Sequence, residues 1–169
     1  MQTKEAILTR RSIRQYTEAP VSKELLEELV KSAMSAPSAQ NRQPWHFVII
    51  QDKKKLLEIS QNHAHAAMAP KAQAAILICA DSKIEETEGF WVQGCAAAMQ
   101  NLLLAAHDQK LGAVWIGLYP RTERMKTFQK IFNLPQNIMP FSIALLGYPN
   151  EKKAKEERFK KEKLHYEKW

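Results

Sequence analysis

Arg10-Arg11-Ser12-Ile13-Arg14 places three cations and one hydroxyl within five residues. Guanidinium groups grip phosphate oxygens through paired, charge-assisted hydrogen bonds, and a hydroxyl adds one more. The same residue types also make a solvated basic patch at a helix end, where cations offset the helix dipole. Taken alone, the cluster leaves both readings open. A second stretch, Pro37-Ser38-Ala39-Gln40-Asn41-Arg42-Gln43-Pro44-Trp45-His46-Phe47, sets small and polar residues just ahead of an apolar run. Ser38 and Asn41 can donate and accept hydrogen bonds there, although turn residues of this kind are common in any loop.

Several other chemistries lack their residues. The five glycines stand at 89, 94, 112, 117 and 147 and form neither Gly-x-Gly-x-x-Gly nor a Walker loop, so no built-in dinucleotide fold is expected. No Gly-x-Ser-x-Gly elbow is present, which argues against an α/β-hydrolase. His63 and His65 are the one close histidine pair; two residues apart, they share a face only on a strand, and no metal site is expected from them.

The two stretches, in this order, resemble the FMN-dependent nitroreductase family. That family opens on Arg-Arg-Ser-x-Arg after a first short helix and continues with Pro-Ser-x-x-Asn-x-Gln-Pro-Trp-x-Phe leading into a strand. Ala113-Val114-Trp115-Ile116-Gly117 and the tail around Arg158 are similar to further family segments, and Asp52 to Pro70 matches least. The resemblance implies an α+β sandwich, with a mostly antiparallel sheet surrounded by helices and a C-terminal arm. It implies one FMN-binding domain over residues 1–169, with 151–169 exchanged or packed across a homodimer. Arg10, Ser12 and Arg158 would hold the FMN phosphate, with Arg11 beside them in the cofactor site. Arg14 would stand near the pyrimidine edge, where a cation stabilises the reduced ring. Pro37, Ser38, Ala39 and Asn41 would approach the ring's polar edge, and the backbone of Trp115, Ile116 and Gly117 would lie beside N5. His65 falls near the ring by a looser match. The activity implied is transfer of hydride from NADH or NADPH through FMN to a nitroaromatic, quinone or similar small-molecule acceptor, by a ping-pong mechanism. An FMN-dependent oxidase or dehalogenase of the same fold is an alternative.

The elements that must carry these residues can be read from the pattern. Lys4 to Thr9 fits a short amphipathic helix. Ser22 caps a helix running to Ala36, with Leu25, Leu26, Leu29, Val30 and Ala33 at helical spacing, and Pro37 stops it. Trp45 to Gln51 reads as a strand covered on both faces, Asp52 caps a helix to about Ser60, and Ala74 to Ala80 is a second apolar strand. Thr87 to Leu111 is the longest helix; its sparse polar face implies burial on most sides, with Gly112 ending it. Val114 to Ile116, Thr122 to Phe132 and Phe141 to Leu146 read as strand, helix and strand, with a loop over 135–140.

Composition narrows the class further. The chain has 169 residues, 45% of them apolar, enough for one domain and too many for disorder. The net charge of +7 invites a nucleic-acid reading, but residues 151–169 hold eight cations and five anions, a mixed-sign run unlike a binding face. No nucleic-acid motif is present, and a basic binding module is the least favoured alternative. Cys79 and Cys95 lie in apolar sequence and read as buried free thiols of a reducing compartment. No signal peptide or membrane-spanning run is visible, so no membrane partner and a cytoplasmic location are expected. Within the tail, Phe159, Leu164, Tyr166 and Trp169 are spaced as anchors for an ordered arm.

Overall fold

A strand whose side chains are apolar and short to medium in size can be buried on both faces, and Ala74–Asp81 is such a strand up to its terminal Asp81. In the computed structural model, which describes residues 1–169, it is β2, and Ala74 to Ala80 are all buried. Its neighbours are β1 (Trp45–Ile50) and β4 (Ile138–Gly147), and β3 (Gly112–Gly117) closes the far edge, in the order β1-β2-β4-β3. Every pairing is antiparallel, with Trp45 opposite Ala80, Leu77 opposite Ile143 and Gly112 opposite Gly147.

Five helices cover the sheet: α1 (Thr3–Thr9), α2 (Lys23–Met34), α3 (Lys53–Gln61), α4 (Glu88–Asp108) and α5 (Thr122–Ile131). Alternation along β2 divides the core. Ala74, Ile76 and Ile78 join Leu26 and Leu29 of α2 and Met99 and Leu102 of α4 in one layer. Ala75, Leu77 and Cys79 join Leu56 and Ile59 of α3 and Phe128 of α5 in the other. The expected caps form: Ser22 Oγ accepts from the Leu25 amide at 3.2 Å, and Asp52 Oδ1 from the Lys54 amide at 2.9 Å.

Some boundaries and burials differ from the sequence reading. β4 starts three residues before Phe141 and runs through Pro140, which has no N–H to give and is tolerated because it sits where the register against β2 shifts between Ile78 and Cys79. Gly112 does not end α4. The left-handed residue after the helix is Lys110 (φ 60°), while Gly112 is the first residue of β3. A Cβ at Gly112 would lie 2.6 Å from Ile13 Cγ2, and one at Gly147 would lie 2.9 Å from Tyr16 Cδ1. The two glycines face each other across β3 and β4, and together they make room for the N-terminal segment that crosses over them. Nor is α4 buried on most sides within one chain. Trp91, Cys95, Ala98, Met99, Leu102 and Ala106 are buried, but Phe90 is 49% exposed, and Val92, Ala96, Ala97 and Leu104 are half-buried. β1, read as covered on both faces, is an edge strand with His46 exposed and Phe47, Val48 and Ile49 half-buried.

Candidate functional site

The segment after α1 runs alongside the start of β3. Ser12 bridges Ala113 in parallel register, and the Ile13 amide donates to Ala113 O at 2.9 Å. Tyr16 locks its far end: its hydroxyl donates to Ile13 O at 2.7 Å, and the residue bridges Pro149. A second strap reinforces this. The Glu151 carboxylate accepts from the Arg14 amide at 2.5 Å, and Lys153 Nζ donates to Ser12 O at 2.8 Å. An extended segment advances about 3.3 Å per residue, so Arg10 and Arg14 stand roughly 13 Å apart along it. A phosphate and a ring joined by a five-carbon chain span such a distance.

At the start of this segment Arg10 has no ion-pair partner, whereas Arg11 and Arg158 both pair with Glu156. Burial lowers the Arg10 pKa below the usual guanidinium value, and the nearby cations of Arg158 and Arg11 lower it further. Ser12 is half-buried beside it. Arg158 reaches the same neighbourhood from the tail, paired with Glu156 at 2.8 Å. Alternation separates Arg11 from Arg10, Ser12 and Arg14. Its guanidinium donates to Ala154 O and to Glu156, and it lines a different cavity, with Thr9, Ile13 and His107.

At the other end, Arg14, Trp115, Ile116 and Gly117 come together around a cavity of 540 Å³, together with His63, His65, Met68, Tyr119, Arg121 and Arg124. The floor of this cavity is fixed by a clamp that sequence reading missed. His63 is only 4% exposed, and its Nδ1 accepts the His65 amide at 3.1 Å. That contact assigns the proton to Nε2, which donates to Gly117 O at 2.9 Å. Arg124 Nη1 donates to the same carbonyl, also at 2.9 Å. Burial holds the His63 pKa below the ordinary imidazole value, the Gly117 bond opposing this and the Arg124 and His65 charges adding to it. Both ring nitrogens of His63 are therefore engaged with the chain. The signal available in sequence was the His63/His65 pair and the Arg121/Arg124 spacing of three on a helix face, neither of which specifies a partner.

The Pro37–Asn41 loop does not line this cavity. It precedes β1, at the opposite edge of the sheet from β3. Gln40, Asn41 and Gln43 all take left-handed conformations (φ 51°, 55° and 51°), which costs non-glycine residues of order 1–2 kcal/mol each. Ser38 Oγ accepts the Gln43 amide at 2.9 Å, and Asn41 Oδ1 accepts from Gln43 Nε2 at 3.0 Å. Arg42 ties the loop to the buried Glu85 at 3.4 Å. One chain thus presents two constellations. Arg10, Ser12, Arg14, Trp115–Gly117 and Arg158 lie along the β3 edge, and Pro37, Ser38, Ala39 and Asn41 lie along the β1 edge.

A model of the nitroreductase family matches residues 7–86 and 72–148. The chain belongs to that family. A protein of Methanothermobacter thermautotrophicus provisionally named NADH dehydrogenase/NAD(P)H nitroreductase is 43% identical over 169 residues, covering 100% of this chain and 88% of its own. A Parabacteroides distasonis protein with the same provisional name superposes with a TM-score of 0.96 at 37% identity, over 100% of this chain and 99% of that one. A Desulfovibrio desulfuricans protein provisionally named a nitroreductase, solved in complex with FMN, superposes with a TM-score of 0.85 at 29% identity, over 98% and 96% of the two chains. The expected fold is borne out: the nitroreductase-like α+β arrangement with an antiparallel sheet. No helix of this chain is long and apolar enough to cross a membrane.

Proposed function

We propose that this chain is an FMN-dependent oxidoreductase that takes reducing equivalents from NADH or NADPH and delivers them to a nitroaromatic, quinone or similar acceptor. FMN, when bound, supplies the hydride-accepting and hydride-donating chemistry. The observation that carries the reading is a partly buried Arg10 without an ion-pair partner on the same short segment as Arg14, which lines the cavity; four extended residues correspond to roughly 13 Å of chain. In this reading Arg10, Ser12 and Arg158 hold the phosphate, with Arg11 ordering the tail that carries Arg158. Arg14 places a cation at the ring's pyrimidine edge. The half-buried Trp115 and the buried Ile116 wall the cavity, and the His63–Arg124 clamp fixes the Gly117 carbonyl in place.

A homodimer completes the site in the same reading. Pro37, Ser38, Ala39 and Asn41 cannot reach the β3 edge of their own chain, so a second copy supplies them. The exposed Phe90 of α4 and the half-buried Val92, Ala96 and Leu104 give that copy apolar surface to cover. The tail anchors are exposed in the single chain, Phe159 at 68% and Trp169 fully, which fits residues 151–169 acting as an arm laid on a partner. Donor and acceptor would use the Arg14–Trp115 cavity in turn, which makes the kinetics ping-pong. The test is the purified protein. Flavin bands near 370 and 450 nm, as roughly expected of an oxidised flavin, with parallel initial-rate lines for donor and acceptor and a dimer in sedimentation, are the expected results. A colourless protein that binds no added FMN would sink the proposal.

A further inference from the structure

The cavity beside Trp115 carries positive charge and no negative charge. Arg14, Arg121 and Arg124 line it, beside His63 and His65, and the lining contains no Asp or Glu. The arginines with ion-pair partners lie elsewhere: Arg11, Arg42 and Arg158. Arg124 spends one nitrogen on Gly117 O, which leaves the rest of its fork free, and the exposed Arg121 makes no ion pair at all. Three arginines around one opening, with no acid among them, repel one another unless something negative enters. Arg14 accounts for one of them, at the ring edge. Arg121, the N-cap of α5, and Arg124, in its first turn, line the same cavity, and the proposed phosphate site at Arg10 makes no use of them.

We propose that Arg121 and Arg124 form a subsite for an anionic group, a carboxylate or a phosphate, on the molecule that exchanges electrons over Trp115–Gly117. The inference rests on the functional reading above and names the substrate class it leaves open. Two guanidinium forks facing a cavity favour a planar carboxylate or a phosphate over a neutral polar group, because each fork can make paired charge-assisted bonds. The anion has two sources, an acidic acceptor or the phosphates of the nicotinamide donor. The same chemistry recognises both.

Equilibrium dialysis separates them. The probes are para-nitrobenzoate against its neutral isostere para-nitrobenzamide, and NAD⁺ and NADP⁺, each with flavin-free and FMN-loaded protein. Arg121→Gln should weaken para-nitrobenzoate relative to para-nitrobenzamide by about tenfold or more, the scale of one lost charge-assisted contact, and Arg121→Lys, which keeps the charge but not the fork, should restore part of it. Wild-type affinity for the anion should fall with added salt. A loss confined to NAD⁺ and NADP⁺ would assign the subsite to the donor's phosphates instead, which also supports an anion subsite. Arg124→Gln should act in the same direction, and Arg121→Gln stays informative if loss of the Gly117 contact unsettles that variant. Unchanged affinities for every anion in both variants, with no salt dependence in the wild type, would overturn the proposal. The flavin content of the same samples tests the functional reading separately: a protein that takes up no FMN refutes that reading, while the anion-to-amide ratio still decides the subsite.

Discussion

Gly112→Ala should damage the cofactor site without touching any residue assigned to it. The added Cβ would meet Ile13 Cγ2 at 2.6 Å and Ile13 Cβ at 2.8 Å, closer than real methyl contacts allow. Ile13 cannot yield easily. It is 9% exposed, its amide is bonded to Ala113 O, and its carbonyl accepts from Tyr16. Overpacking of this kind costs about 1–3 kcal/mol, and a chain of this size loses about 2–4 °C in melting temperature per kcal/mol, so a fall of about 4–8 °C is expected for the middle of that range. The larger effect should be on FMN. Pushing Ile13 off the sheet displaces Arg10, Ser12 and Arg14 together, and losing even one charge-assisted contact, worth about 1.5–3 kcal/mol, weakens binding roughly tenfold or more. Thermal melts and fluorescence titration of FMN measure the two effects. Gly89→Ala is the control, since nothing lies within 4 Å of its added Cβ. A Gly112→Ala protein that melts and binds FMN like the wild type would refute the argument that the glycine pair seats the N-terminal segment.

Four further outcomes are expected. Arg10→Ala should weaken FMN binding by about 2 kcal/mol if its guanidinium grips the phosphate, and unchanged affinity would remove Arg10 from the site. Arg14→Ala should lower the midpoint potential of bound FMN more than it lowers affinity, and a spectroelectrochemical titration without a shift would count against that role. His63 and His107 have pKa values held below the ordinary imidazole value of about 6.5, chiefly by burial, so the unfolded chain takes up protons first as pH falls. Stability should therefore be fully present above about pH 7 and decline below about pH 6.5. Urea melts should show a shallower decline in His63→Gln, and an identical slope would refute the assignment. Truncation after Lys153 keeps the strap on Ser12 and Arg14 but removes Arg158 and the exposed anchors. It should weaken FMN binding and the dimer, and a truncated protein keeping both would reduce the arm to a solubility appendage.

Local signals were legible because their physics is local. Ser22 and Asp52 cap the helices they precede, and the unbroken apolar run of β2 ends in the centre of the sheet. Cys79 and Cys95 are buried free thiols, and burial pushes the Cys95 pKa up to about 12, which keeps it unreactive. What the sequence withheld depends on contacts far along the chain. Gly112 resembled a helix terminator and is instead an absence of side chain required by Ile13, 99 positions earlier. The left-handed turn fell to Lys110, a residue with no special claim to it. His63 looked like half of a histidine pair, and its partner is a carbonyl 54 residues away. The exposed sides of α4 and β1 are a different case, because apolar periodicity says that a face must be covered and not which chain covers it. The same gap runs through the site. The Arg10–Arg14 and Pro37–Phe47 stretches stand about two dozen residues apart in sequence and at opposite edges of one sheet. Sequence order alone would group them in one pocket of one chain, whereas the sheet topology sets them at opposite edges, which is why the proposed site draws on a second copy.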